Sequence, residues 1–213
     1  MKSKILILII LVLSMNNITC SSKKVTYEEL SERLMQEIIN DEWFKEWDVS
    51  EKEIREVKEI IKEIQISIAS NNIKRFSEFF CDKIEIANTL REVRVMDKEE
   101  VMKDKKVMSW IKKWYFGEGK EVKQSYRGYL KKILNNKKIE AKYKMYVRYK
   151  AGVITTKKEL YFYNENTKKA IYKYLFGFVD PVQPEDNWYK KDITIGINNF
   201  GDGWKIVALL IAP

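Results

Sequence analysis

The stretch NWYKKDITIGINNFGDGWKIVALLIA, residues 187–212, decides how the rest of this chain is to be read. From Trp188 to Asn198 one alternate set of positions is Tyr189, Lys191, Ile193, Ile195 and Ile197, and the other is Trp188, Lys190, Asp192, Thr194, Gly196 and Asn198. Successive side chains on a strand point to opposite faces, so a period of two marks a strand with one face buried. Asn198 to Gly203 then supplies residues that tolerate positive φ, with Asp202 between two glycines as a turn residue. Trp204 to Ala212 is apolar at nearly every position, so the hairpin feeds a final strand buried on both faces. Such a strand belongs in the middle of a sheet, with a helix over one side and another layer or a partner subunit over the other.

Upstream, Ile139, Ala141, Tyr143, Met145, Val147 and Tyr149 alternate with charged or aromatic neighbours through Lys150, which predicts a second half-buried strand. Val153 to Tyr163 and Ala170 to Val179 read as further strands, and Pro181 and Pro184 mark a loop. Before Ile139 the period is helical. Thr26 with Glu29 three residues later forms a capping box, Val25 and Leu30 a hydrophobic staple, and a first helix is expected over 27–39. The same signature at Val49, Ser50, Glu53 and Ile54 opens the longest helix, whose Ile54, Val57, Ile61, Ile64 and Ile68 share one face. A short helix brings Phe76, Phe79 and Phe80 inward, and Cys81 to Asn88 follows as an edge strand. Asp97 with Glu100 caps a third helix expected to run to Phe116 and stop at Gly117, with Val101, Met108, Ile111 and Tyr115 inside. Tyr126 to Asn135 fits a helix through Tyr126, Leu130, Ile133 and Leu134, against which Gly128 counts. Helices followed by four or five long antiparallel strands make a single α+β domain. An up-and-down barrel, the other arrangement considered, would need about eight strands.

The N-terminus carries a different message. Lys2 and Lys4 precede nine apolar residues, Ile5 to Leu13, and Cys20 follows. A spanning helix needs roughly 20 apolar residues, so this run is a secretory signal and not an anchor. A Cys just after it, followed by Ser21-Ser22-Lys23-Lys24, resembles a bacterial lipoprotein precursor of the relaxed spirochaetal type, with Asn17, Ile18 and Thr19 in the lipobox positions. The resemblance implies residues 1–19 as signal peptide, Cys20 as the lipidated first residue of the mature chain, 20–26 as a tether and 27–213 as the domain. It implies an exported protein, lipid-anchored to the bacterial cell envelope. Cys81 is then the remaining cysteine, so no internal disulfide forms and the core must hold the fold. With 45% apolar residues, a core for one domain is within reach.

From residue 50 to 212, the order of a long helix, a short Phe-rich helix, a weak strand, a further helix and an antiparallel sheet resembles the nuclear transport factor 2-like fold. The ending, Asp192-Ile193-Thr194-Ile195 through Gly203-Trp204-Lys205-Ile206-Val207, is its most specific piece. The resemblance implies a strongly curved antiparallel sheet, a cone, closing around the long helix. Members of that family include isomerases, dehydratases and cargo binders, so it does not choose a function.

The residue inventory excludes several chemistries. The chain contains no His, which removes the usual Ser-His-Asp and Cys-His systems and the commonest zinc ligand. No phosphate loop, calcium loop or Cys-x-x-Cys pair occurs, so neither metal nor cofactor is implied. Asp82, Glu140, Glu159 and Asp192 lie where solvent-facing charge is the default, and no catalytic residue is assigned. An isomerase or hydrolase would have to work through a Tyr/carboxylate pair. Cys81 after two phenylalanines reads as a small buried side chain. Trp110, Trp114, Tyr115 and Phe116 crowd one helix end and are the candidate walls of a pocket for a small apolar ligand. Residues 25–100 hold 20 acidic and 12 basic residues, a net of −8, whereas 101–213 hold 24 basic and 11 acidic, a net of +13. The basic half, with Lys142-Tyr143-Lys144 and Tyr172-Lys173-Tyr174, could meet acidic glycans or lipids; an exported protein rarely meets nucleic acid. The sequence therefore points to a non-catalytic binding module for a ligand or an envelope protein.

Overall fold

The computed structural model describes residues 25–30, 32–33, 49–88, 92–119, 124–135, 144–149, 172–179 and 192–212. Expectations for Cys20 and the leader, for a strand over 153–163, for Glu140 and Glu159, and for Trp188 to Lys191 lie outside the described residues. The elements are α1 (Glu51–Ala69), α2 (Ile73–Glu78), β1 (Phe80–Asn88), β2 (Glu92–Asp97), α3 (Lys98–Lys103) and α4 (Lys105–Ile111). A π-helical turn (Lys112–Phe116), α5 (Tyr126–Leu134), β3 (Lys144–Tyr149), β4 (Tyr174–Val179), β5 (Asp192–Asn199) and β6 (Trp204–Ala212) complete them. This is an α+β fold.

The closing hairpin forms as its sequence demands. Asn199 pairs with Trp204, Gly201 and Gly203 take φ of 97° and 94°, and the Asn199 side chain accepts the Gly201 N–H at 2.8 Å. Strand order is β2-β1-β6-β5-β4-β3, which puts β6 in the interior of the sheet. Among the described residues the order runs from β2 to β3 without closing, so the barrel alternative fails. Two expectations about β1 change. It lies inside the sheet between β2 and β6, not at an edge, and its pairing with β6 is parallel. Parallel neighbours need a long crossover, and the chain between Asn88 and Trp204 supplies it.

One sheet face carries Ile193, Ile195 and Ile197 of β5, Ile206, Leu209 and Ile211 of β6, and Tyr174, Phe176 and Phe178 of β4, all buried. Val57, Ile61, Ile64 and Ile68 of α1 are fully buried in the same core. Behind the sheet, Cys81 and Val207 form a second small cluster with Tyr172 and Phe200 packed on it. Val207 on the far face of β6 is thus covered within the chain itself. A Cβ built on Gly196 would lie 2.9 Å from the Tyr172 Cβ, so glycine there makes room for the Tyr172 ring.

The capping boxes at Thr26 and Asp97 form in full, and the one at Ser50 in half. Thr26 N–H donates to Glu29 Oε2 at 3.0 Å and Glu29 N–H to Thr26 Oγ1 at 3.1 Å, while residues 27–30 are helical and Val25 and Leu30 are buried. Ser50 Oγ accepts the Glu53 N–H at 3.2 Å. The helix expected over 97–116 is instead broken at Asp104, whose extended backbone ends α3 and whose carboxylate accepts the Lys106 and Val107 N–H groups at 2.7 and 3.1 Å. These bonds hold its carboxyl below the usual range. A side chain that caps a new helix competes with continuation of the old one. On α4 and the turn, Val107, Ile111, Tyr115 and Phe116 are buried, and Met108 is half-buried.

Replacing Ile206 with Asp would set an unpaired carboxylate in the centre of this sheet. The variant is expected to lose its cooperative thermal transition by circular dichroism at neutral pH. A well-folded variant would show that β6 is not central to the core.

Candidate functional site

Two constellations of polar side chains sit under α1, one at each end of the helix. The first is at its N-terminal turn. Glu53 Oε1 accepts the Tyr174 hydroxyl at 2.9 Å and lies 2.5 Å from Lys173 Nζ, and Glu56 Oε2 accepts the Trp204 indole N–H at 3.1 Å. The Tyr174 and Trp204 rings meet edge to face at 5.4 Å. The capping box at Ser50 is therefore only half used, because Glu53 reaches across to the sheet and not back to its own cap. This is a Tyr/carboxylate pair flanked by an ammonium. Its access is poor: Tyr174 is 0% exposed, and the Glu53 and Lys173 side chains are 19% and 28% exposed. One carboxylate oxygen already serves both donors, so the geometry holds helix to sheet. Lys173 and Tyr174 of the Tyr172-Lys173-Tyr174 motif, read from sequence as part of a basic surface, thus form an internal latch.

The second constellation lies at the other end. Ser125 is fully buried and its Oγ accepts the Gly128 N–H at 3.1 Å, starting α5 so that Tyr126, Tyr129 and Leu130 point inward. Arg127 on the opposite side donates from Nε to the Ala69 carbonyl at 3.1 Å, placing a cation at the carbonyl end of α1. Tyr126 and Tyr129 approach Phe178 with ring centroids at 4.8 and 5.2 Å, and Tyr126 stacks on Tyr115 at 6.2 Å. Gln65 of α1 is 0% exposed.

Of the four residues singled out from the sequence, three share one ring network. Tyr115 and Phe116 are fully buried and both meet Phe76, at 6.0 and 5.3 Å, while the half-buried Trp110 lies 5.9 Å from Tyr115. Trp114 is half-buried at the rim, with Lys113 Nζ 4.9 Å above its ring. The sequence reading missed Gln65, Tyr129 and Phe178. Gln65 was readable, since it interrupts the apolar face of α1 beside Ile64 and Ile68. Among the described residues the Trp110 Nε1 is buried without a hydrogen-bond partner, a costly state for a donor. Among the described residues no group of His, Cys, Asp and Glu could hold a metal ion. Of the carboxylates weighed from sequence, Asp82 is exposed on β1.

Tyr115 is itself fixed. Its hydroxyl donates to the Thr194 carbonyl at 2.8 Å and lies 3.4 Å from that of Leu210, two residues paired across β5 and β6.

The chain matches no protein-family model and no curated sequence. Its side chains are therefore the guide to what it does.

Burial, and secondarily the neighbouring Tyr126, pushes the Tyr115 hydroxyl well above the ordinary tyrosine range. An acid whose folded pKa is raised adds stability that is full below its unfolded pKa, about 10, and lost as pH rises through the folded value. Tyr115→Phe is expected to cost about 1 kcal/mol at neutral pH and to flatten the loss of stability above pH ~10. Urea titrations at neutral and alkaline pH measure both. An unchanged alkaline slope would remove Tyr115 from this role.

Proposed function

We propose that this chain is an exported bacterial protein, lipid-anchored through Cys20 to the cell envelope, whose domain is a non-catalytic binding module. In this reading the six-stranded sheet curls around α1 as the cone of nuclear transport factor 2-like domains, and a small, largely apolar ligand lies between α1, the π-helical turn, α5 and β4. The observation that carries it is the composition of that interior. Tyr115, Tyr126 and Tyr129 stand among Phe76, Phe116 and Phe178, Gln65 of α1 is buried as well, and Trp110 adds a buried indole donor. Ligand sites for apolar molecules are built this way, with aromatic walls for affinity and a few placed polar groups for orientation. A core serving stability alone does better without polar atoms to satisfy.

Catalysis is the second reading, and the Tyr174 to Glu53 contact of 2.9 Å is what favours it. An isomerase or hydrolase would need that pair open to substrate. The full burial of Tyr174 and the shared engagement of Glu53 favour the binding module.

Native mass spectrometry of the protein taken from its host membranes tests the proposal. The expected spectrum shows a covalent lipid mass that disappears in Cys20→Ser, and a non-covalent small molecule that is released on denaturation. A chain carrying no lipid mass and no retained molecule would contradict both parts.

A further inference from the structure

An indole N–H donates one hydrogen bond and accepts none, so the buried Nε1 of Trp110 can be answered only by an acceptor. The Trp110 side chain as a whole is half-buried, so the ring shows solvent another edge and keeps its donor covered. Its ring neighbour Tyr115, at 5.9 Å, donates its own proton to the Thr194 carbonyl at 2.8 Å and does not accept that of Trp110. Among the described residues Trp110 therefore stands as a donor for an oxygen that they do not bring to it.

Charge narrows the acceptor further. No Lys or Arg is among the buried described residues, so an anion entering here would find no buried cation. The one buried carboxylate among them, Glu85, lies between Ile84 and Ile86 of β1, both part of the core, and so belongs to the other face of the sheet. Burial pushes the Tyr115 hydroxyl up, because this interior opposes negative charge. A hydroxyl or amine on a ligand would bring a further proton needing a partner, whereas a carbonyl oxygen accepts and brings none. Phe76 meets both Tyr115 and Phe116, so the walls suit an apolar or aromatic body.

We infer that the molecule held in this interior is an uncharged, largely apolar compound bearing a carbonyl oxygen, which accepts the Trp110 indole N–H. The inference rests on the reading of a ligand-binding module and names the chemistry of that ligand.

The test uses the protein isolated from its host, unfolded, stripped and refolded, with three probes of one shape. These are acetophenone, α-methylstyrene, which has a methylene in place of the carbonyl oxygen, and benzoate. Each is titrated while the ¹⁵N indole spectrum is recorded, and the signal missing from Trp110→Phe assigns Trp110 among the six tryptophans. Acetophenone is expected to bind and to move the Trp110 indole proton downfield. α-Methylstyrene is expected to bind without that shift, and benzoate to bind at least about 10-fold more weakly than acetophenone. Trp110→Phe should lower the ratio of acetophenone to α-methylstyrene affinity about five-fold, a change that a general loosening of the interior would not produce. Thermal unfolding shows whether the variant is folded; if it is not, the downfield shift and the benzoate comparison on the unaltered protein decide. Benzoate binding as tightly as acetophenone, or a ratio that survives Trp110→Phe, would overturn the inference and leave a ligand site in place. A molecule retained in the native mass spectrum, with no probe shifting Trp110, would do the same. No retained molecule and no bound probe would overturn this inference and the binding reading together.

Discussion

The laying of α1 across β4, β5 and β6, with each of its ends tied down, is the constraint on which the rest of the structure depends. At the N-terminal end Glu53 and Glu56 reach Lys173, Tyr174 and Trp204, side chains at the starts of β4 and β6. At the C-terminal end Arg127 of α5 holds the Ala69 carbonyl. Between them Val57, Ile61, Ile64 and Ile68 are fully buried. A helix of 19 residues spans about 28 Å, enough to cross the sheet from one constellation to the other. Burial of such side chains is worth roughly 1.5–3 kcal/mol each, and the polar ties decide which way the helix lies.

From that placement the division of labour follows. The Glu53 end is closed by charged hydrogen bonds and edge-to-face rings, which hold helix to sheet. The Ala69 end gathers aromatic rings with polar tips, because α5 and the π-helical turn both pack there. The π-helical turn turns Tyr115 and Phe116 into the core together and ends at Gly117, whose φ of 74° stops it. Tyr115 then ties β5 to β6 from the helical side.

Much of this was legible in the amino-acid order, and the exceptions have physical causes. The hairpin of β5 and β6, the interior place of β6, the cap at Thr26 and the apolar face of α1 all follow from local periodicity and side-chain hydrogen bonding. The break at Asp104 was not read, because aspartate within a helical pattern resembles a solvated position until its capping bonds are seen. The interior position of β1 was missed because pairing with β6 is a contact across more than a hundred residues, which periodicity does not report. Tyr174 looked like part of a basic, aromatic surface. Its true surroundings depend on α1 crossing β4, a tertiary fact. Trp110, Tyr115 and Phe116 were recognised as a group, whereas Tyr129 and Phe178, which complete the wall, come from separate elements.

The central claim is that the interior beside Trp110 is a place for a ligand. The indole N–H of Trp110 reports on it directly, since that donor is buried without a partner among the described residues. The measurement is the ¹⁵N indole spectrum of the protein as isolated from its host, compared with the same protein unfolded, stripped and refolded. A hydrogen bond from Trp110 to a bound molecule would shift its resonance downfield in the isolated protein and release it in the stripped one. An identical Trp110 resonance in both would contradict the account and leave the interior as core.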